Sequence, residues 1–131
     1  MIVVDASAMI EILLVTPAAL GVEDRLFAPE TTLHAPHVLD LEVAQVLRRY
    51  VATGEVETTR ASEALADLTA LGVRRYPHNL FLPRIWELRQ NATAYDAAYL
   101  ALAEELDAPL LTCDRRLARA PGHSAEIELL T

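Results

Sequence analysis

Hydrophobic positions along the chain follow two spacings, one typical of strands and one typical of helices. Short apolar runs such as Met1 to Val4 and Leu110 to Thr112 predict buried strands. Apolar residues three and four positions apart, as between Val38 and Thr53, predict amphipathic helices. Strand and helix signals alternate from end to end without a repeat or a flexible linker. This order is typical of the α/β class with a mainly parallel sheet.

Capping and turn residues set the limits of these elements. Pro17 stands where a helix tolerates proline, in its first turn, and Gly54 is suited to end a helix in the left-handed conformation. Asp5 or Ser7 caps the first helix. The predicted strands cover residues 1–4, 32–34, 73–76, 110–112 and 126–130, and the predicted helices cover about 7–14, 17–27, 38–53, 59–71, 81–89, 95–106 and 114–120, with Thr58 or Thr59 as the cap of the fourth.

Length and composition predict one domain spanning residues 1–131, because a chain of 131 residues buries one substantial core. A hydrophobic fraction of 53% excludes intrinsic disorder. Glu11 interrupts the apolar start and no apolar run reaches the roughly 18 residues of a membrane span, so we expect a soluble, cytoplasmic protein with no membrane partner. The lone Cys113 excludes a disulfide framework and a multi-cysteine zinc site.

Charge excludes several classes of function. All eleven basic residues are arginines, so a P-loop and any Schiff-base or lysine-dependent phosphoryl-transfer site have no candidate residue. A net charge of −8 argues against generic binding of DNA or RNA by phosphate neutralisation. Any nucleic-acid site must therefore be local and assisted by metal and arginine.

Four acidic residues are the candidate chemistry. Asp5 and Asp114 come just after predicted strands, where open α/β sheets bind ligands, and Glu42 and Asp96 lie near the starts of predicted helices. Carboxylates gathered at one sheet edge repel one another unless a divalent cation neutralises them. Their hard oxygen ligands favour Mg²⁺, with Mn²⁺ as a substitute.

Capping alone explains three of these acids. Asp5 and Asp114 are each suited to cap the helix that follows, and Thr93 with Asp96 matches a capping box. The convergence of all four acids on one edge is what independent capping does not predict.

Glu42 has a neighbour that periodicity does not distinguish from it. Glu42 and Asp40 lie on opposite margins of the apolar stripe of the helix over residues 38–53. Either residue could simply be a polar side chain at the solvated edge of that helix. The residues alone leave this choice open.

The segments that carry the acids resemble the motifs of PIN-domain ribonucleases, specifically the VapC toxins of bacterial toxin–antitoxin modules. These segments are Val3 to Ala8, Leu41 to Leu47, Thr93 to Ala103 and Leu110 to Ala118. The resemblance spans essentially the whole chain and implies a PIN-like three-layer α/β/α fold. It also implies that Asp5, Glu42, Asp96 and Asp114 are the catalytic, metal-binding quartet, which selects Glu42 over Asp40, with Ser7 and Thr112 at supporting polar positions.

The same resemblance implies an activity and partners. We expect a Mg²⁺- or Mn²⁺-dependent endoribonuclease that cuts structured RNA such as a transfer-RNA or ribosomal-RNA loop, is neutralised by a cognate VapB-type antitoxin and forms a homodimer. The alternative is a non-catalytic PIN-fold module that binds RNA or a protein. Dehalogenase-like phosphatases and receiver domains need a lysine that this chain lacks, and flap-type DNA nucleases carry long insertions that it also lacks.

Other polar residues have two readings each. Arg115 and Arg116 can clamp phosphate or form a solvated helix face, and Asn91 and Thr93 can line a substrate groove or begin a helix. The pair His34 and His37 has a spacing of three, but an intervening proline and the absence of a partner motif argue against zinc.

Overall fold

The sheet of the computed structural model, which describes residues 1–131, has five strands. They are β1 (Ile2–Val4), β2 (Leu33–Pro36), β3 (Arg74–Tyr76), β4 (Leu110–Thr112) and β5 (Ile127–Leu129). Their order is β3-β2-β1-β4-β5, and every neighbouring pair is parallel. The predicted α/β class is confirmed, with a sheet that is parallel throughout.

Eight α-helices and one 3₁₀ turn connect the strands. They are α1 (Ala6–Leu13), α2 (Pro17–Leu20), α3 (Glu23–Leu26), α4 (Val38–Thr53), α5 (Thr58–Ala70), the 3₁₀ turn His78–Phe81, α6 (Leu82–Glu87), α7 (Ala94–Leu106) and α8 (Arg115–Arg119). None of these helices combines the length and the apolar character that crossing a membrane requires.

The helices form two layers around the sheet. Helices α1, α4 and α5 pack on one another, while α7 packs across β1, β2 and β4 and carries α6 on its outer side. The core between the layers is a single cluster of 31 buried residues, to which α7 contributes Leu100 and Leu102 with no exposed surface. This arrangement is the three-layer α/β/α fold that the resemblance implied.

Three predicted elements differ from the structure. The helix predicted over residues 17–27 is broken into α2 and α3, because Gly21 has a low helix propensity and Val22 leaves helical geometry with φ −124°. The helix predicted over 81–89 begins instead as a 3₁₀ turn and ends at Glu87. The caps predicted at Thr58 or Thr59 are wrong, since Glu57 holds that position without a side-chain bond. Gly54 does end α4 in the left-handed region, at φ +80°.

Strand order positions the candidate site. The chain runs outward from β1 to β2 and β3, and then returns across the sheet to β4 on the other side of β1. The direction of winding therefore reverses between β1 and β4, which makes their carboxyl ends a topological switch point. Asp5 directly follows β1 and Asp114 lies two residues after β4.

Candidate active site

Asp5 lies at the centre of the hydrogen bonds that join β1 to β4. Its Oδ1 accepts from the Ser7 hydroxyl at 2.6 Å and from the Ala8 N–H at 3.0 Å, while the Thr112 hydroxyl donates to its Oδ2. Only 5% of Asp5 is exposed. Burial raises the pKa of Asp5, the hydrogen bonds oppose that rise, and the charge of Asp114 adds to it.

Ser7 and Thr112 connect the ends of the two strands through their hydroxyls. Besides donating to Asp5, the Ser7 hydroxyl accepts from the Cys113 N–H at 2.8 Å, and the Thr112 hydroxyl accepts from the Asp114 N–H at 3.0 Å. Thr112 is fully buried. These bonds fix the orientation of the Asp5 carboxylate and the start of the segment that carries Asp114.

Asp114 is the N-cap of α8. Its Oδ1 accepts from the backbone N–H groups of Arg116, at 2.8 Å, and Leu117, at 3.4 Å. Asp5 caps α1 in the same way through the Ala8 N–H. The capping reading is therefore correct for both residues, and both also line one groove. Capping uses Oδ1 of Asp114 and leaves Oδ2 available to a ligand.

Glu42 enters the groove from α4 and is held by a tyrosine of α7. The Tyr99 hydroxyl donates to Glu42 Oε1 at 2.7 Å. Burial raises the pKa of Glu42, the Tyr99 bond opposes that rise, and the charges of Asp96 and Asp5 add to it. Asp40 instead points to the other margin of α4, where Arg75 Nε and Nη2 donate to it at 2.8 and 3.0 Å. The structure thus brings Glu42, rather than Asp40, to the other acids.

Asp96 lies in the first turn of α7. Its N–H donates to the Thr93 hydroxyl at 3.1 Å, so Thr93 is the N-cap, as its position in the sequence predicts. Burial raises the pKa of the Asp96 carboxyl, and the charges of Asp114 and Asp5 raise it further. The N-terminus of α7 therefore presents a carboxylate to Asp114 and Asp5 across the switch point.

The groove that the four acids share has a volume of about 780 Å³. Its rim is partly apolar, since Leu41 is 74% exposed and Tyr95 is 61% exposed. The other lining side chains that bear on the site are Ser7, Val38, Gln45, Arg48 and Tyr99.

The donor set suits a hard divalent cation in its chemistry but not as a closed cage. All four candidate ligands are carboxylates. Burial is the largest cause of the raised pKa values of Asp5, Glu42 and Asp96, and the negative charges of the other acids raise these pKa values further. A cation among them would relieve that repulsion. However, no three of these side chains stand close enough together to hold an ion as they are. Closing on a metal would require side-chain movement within the groove.

Tyr99 is the residue that sequence reasoning missed. The pattern of α7 is apolar almost all round, so Tyr99 reads as a core residue, and it is 1% exposed. A buried tyrosine hydroxyl needs a polar partner, and that requirement is the signal that could have found it. Its burial and the charge of Glu42 raise the pKa of Tyr99, so the hydroxyl stays a donor.

His34 and His37, whose spacing alone would suit a zinc site, lie in different surroundings. His34 is buried on β2, where Thr32 Oγ1 and the Tyr76 hydroxyl lie 2.7 Å from its two ring nitrogens. His37 is exposed. Both nitrogens of His34 are occupied by protein hydrogen bonds.

Comparison with known proteins identifies the family. The PIN domain model matches residues 2–123. Ribonuclease VapC12 of Mycobacterium tuberculosis is 44% identical over 130 residues, which covers 99% of each chain. Two solved structures share the fold with TM-scores of 0.67: VapC20 of M. tuberculosis, a sarcin–ricin loop cleaving toxin (18% identity, 90% of this chain and 93% of that one), and VapBC2 of Rickettsia felis bound to a promoter DNA fragment (13% identity, 100% of each). The chain therefore belongs to the PIN-domain family and, within it, to the VapC ribonucleases.

Proposed function

We propose that this protein is a Mg²⁺-dependent endoribonuclease, able to use Mn²⁺, and that it is the toxin of a type II toxin–antitoxin module in the cytoplasm. The observation that carries the proposal is the gathering of Asp5, Glu42, Asp96 and Asp114 in one groove at the switch point. The identity of 44% to a protein named as a VapC ribonuclease supports the same reaction.

Each acid has a proposed role. Asp5 and Asp96 would hold the cation directly, Asp114 would hold it directly or through water, and Glu42 would orient water or hold a second ion. A bound cation supplies Lewis-acid activation of the attacking water and neutralises charge on the phosphate. Ser7 and Thr112 hold the Asp5 carboxylate in one orientation, and Tyr99 does the same for Glu42.

The proposed substrate is a loop in a structured RNA, of transfer-RNA or ribosomal-RNA type. Single-stranded loops expose both bases and a scissile backbone, and an open groove admits such a strand. The net charge of −8 disfavours indiscriminate binding, so we propose cleavage at few sites. The structural neighbour VapC20 is itself described as cleaving the sarcin–ricin loop.

The proposed protein partners are a VapB-type antitoxin and a second copy of the chain. The groove combines four acids with exposed Leu41 and Tyr95, so a peptide with an arginine and apolar side chains is complementary to it. Such a peptide would block metal and RNA together. Leu65 on α5 leaves apolar surface for a homodimer. The structural neighbour VapBC2 supports the VapB-type partner.

Cleavage of cellular RNA tests the proposed function. Purified protein should cut total bacterial RNA at one or a few sites with Mn²⁺ or Mg²⁺, mapped by sequencing the new 5′ ends. Asp5→Asn keeps a capping side chain and should lose the cleavage, whereas Asp67→Asn, on the exposed face of α5, should retain it. Cleavage that continues in EDTA, or in Asp5→Asn, would contradict the proposal.

One observation favours the alternative of a non-catalytic binding module. No three carboxylates converge closely enough to hold an ion. If this spacing persists with metal present, wild-type protein should bind RNA or a protein without cutting RNA under any metal condition.

A further inference from the structure

A second groove joins the acidic groove at Asp96. It has a volume of about 400 Å³ and lies between the turn that precedes α7 and the short helix α8. Asp96 lines both grooves, so the two adjoin at this residue. Six of the nine residues that line the second groove are polar or charged, and the side chains that matter here are Arg89, Gln90, Asn91, Thr93 and Arg116.

The charge of this second groove is opposite to that of the first. Only four of the eleven arginines make ion pairs in the structure, namely Arg25, Arg60, Arg75 and Arg84. Arg89 and Arg116 are exposed and have no carboxylate partner. In a protein with a net charge of −8, two unpaired guanidinium groups beside an acidic site form a local attraction for anions.

Two side chains of the second groove, Arg89 and Asn91, contact neighbouring residues. Arg89 lies over the Trp86 ring with 4.7 Å between its Cζ and the ring centroid, and its Nη1 donates to the Trp86 carbonyl at 2.9 Å. Outside the groove, Arg84 Nη2 donates to the carbonyl of Gly122 at 3.1 Å. Gly122 has φ +87°, and a Cβ there would collide with the side-chain amide of Asn91. Asn91 therefore packs closely against the Gly122 backbone.

We propose that this second groove binds the RNA segment adjoining the phosphodiester that is cut. Arg89 and Arg116 hold its phosphates, and the amides of Gln90 and Asn91 contact the edge of one unpaired base. The inference rests on the proposed ribonuclease function and adds to it a substrate path and a determinant of sequence preference. A cationic antitoxin peptide, by contrast, is repelled by the two arginines and attracted to the acidic groove.

Binding without cleavage tests the phosphate contacts. The probe is a fluorescent pool of randomised single-stranded RNA of about 10 nucleotides, bound by Asp5→Asn protein and measured by anisotropy. Adding Arg116→Gln or Arg89→Gln should weaken binding about fivefold each and reduce the slope of log affinity against log salt by about 0.7. The matched control is Arg119→Gln, since Arg119 is exposed on the same helix but does not line the groove. Equal affinity in all these variants would overturn the inference.

Sequence preference tests the base contact. Wild-type protein and Asn91→Ala should both cut a randomised RNA pool, but the preference at one nucleotide position beside the cut should be lost in Asn91→Ala. Asn79→Ala, in the exposed 3₁₀ turn, should keep the wild-type preference. An unchanged preference in Asn91→Ala would remove the proposed base contact while leaving the ribonuclease intact. Failure of wild-type protein to cut or bind any RNA would instead overturn the proposed function, and this inference with it.

Discussion

The hydrogen bond from Tyr99 to Glu42 connects the core to the acidic groove, and a single substitution can remove it without changing the packing of the ring. Tyr99→Phe removes only the hydroxyl that donates to Glu42 Oε1 at 2.7 Å, so the ring still fills its place in the core. We expect the variant to fold. Glu42 then loses the donor that favours its ionised form, which raises the pKa of Glu42 further.

The size of the effect follows from the surroundings of the bond. A hydrogen bond to a charged group contributes about 1.5–3 kcal/mol to stability when it is well shielded. Glu42 is only half-buried and borders an open groove, so water replaces part of what is lost. We therefore expect Tyr99→Phe to lower the free energy of unfolding by about 1 kcal/mol at neutral pH.

The pH dependence of this loss identifies its cause. Because the folded-state pKa of Glu42 is raised, its ionised form costs stability above that pKa, and losing the donor increases this cost. As the pH falls towards about 4, Glu42 binds a proton in the folded and unfolded states alike. The deficit should then shrink to the smaller contribution of a neutral hydrogen bond.

Denaturant unfolding in EDTA at neutral and acidic pH measures this difference. The control is Tyr95→Phe, because Tyr95 lies on the same helix, is 61% exposed and should show no pH-dependent deficit. A deficit in Tyr99→Phe that is the same at every pH, or absent at neutral pH, would refute the reasoning.

Three further predictions concern stability. In the absence of metal at neutral pH, Asp96→Asn should be at least as stable to denaturant as the wild type, because it removes a carboxylate whose pKa is raised by burial and by the charges of Asp114 and Asp5. An unfolded variant would mean that the Asp96 side chain is structural. Leu100→Ala, fully buried in α7, should cost about 2–5 kcal/mol in urea, and a loss below about 1 kcal/mol would contradict the packing described. Burial, and then the charge of Arg74, lower the pKa of His34. The contribution of neutral His34 to stability should therefore be fully present above about pH 6.5 and be lost as the pH falls through the lowered pKa. His34→Gln should flatten that part of the profile of stability against pH, and an unchanged profile would refute the assignment.

Local chemistry accounts for what sequence reasoning predicted correctly. Continuous apolar runs mark β1 and β4 because both faces of a parallel strand are covered, and Gly54 marks the end of α4 because its left-handed φ is easy only for glycine. Asp5 and Asp114 follow those strands in the sequence, so their place at one sheet edge was predictable. That β1 and β4 are neighbours depends on long-range topology, which periodicity does not contain.

Long-range partners account for what the sequence left open or concealed. Periodicity could not separate Glu42 from Asp40, because the choice depends on Tyr99 and Arg75, which lie 57 and 35 residues away in the chain. The break between α2 and α3 falls at Gly21 and Val22, because so short a helix has too few hydrogen bonds to offset the low helix propensity of these two residues. The sequence left two interpretations of Arg116 open, a phosphate clamp or a solvated helix face, and it did not indicate Arg89, because only the fold brings these two arginines to one groove.

A calorimetric titration of Mn²⁺ into the purified protein tests the central claim most directly. We predict saturable binding by wild type and by Asp67→Asn, whose carboxylate is exposed on α5, and no binding by Asp96→Asn. At a free Mn²⁺ concentration about 100 times the dissociation constant, the wild-type fold should gain about 2.7 kcal/mol, which thermal unfolding in the same samples would confirm. No binding by wild type, or equal binding by Asp96→Asn, would contradict the claim that the four acids form a metal-binding active site.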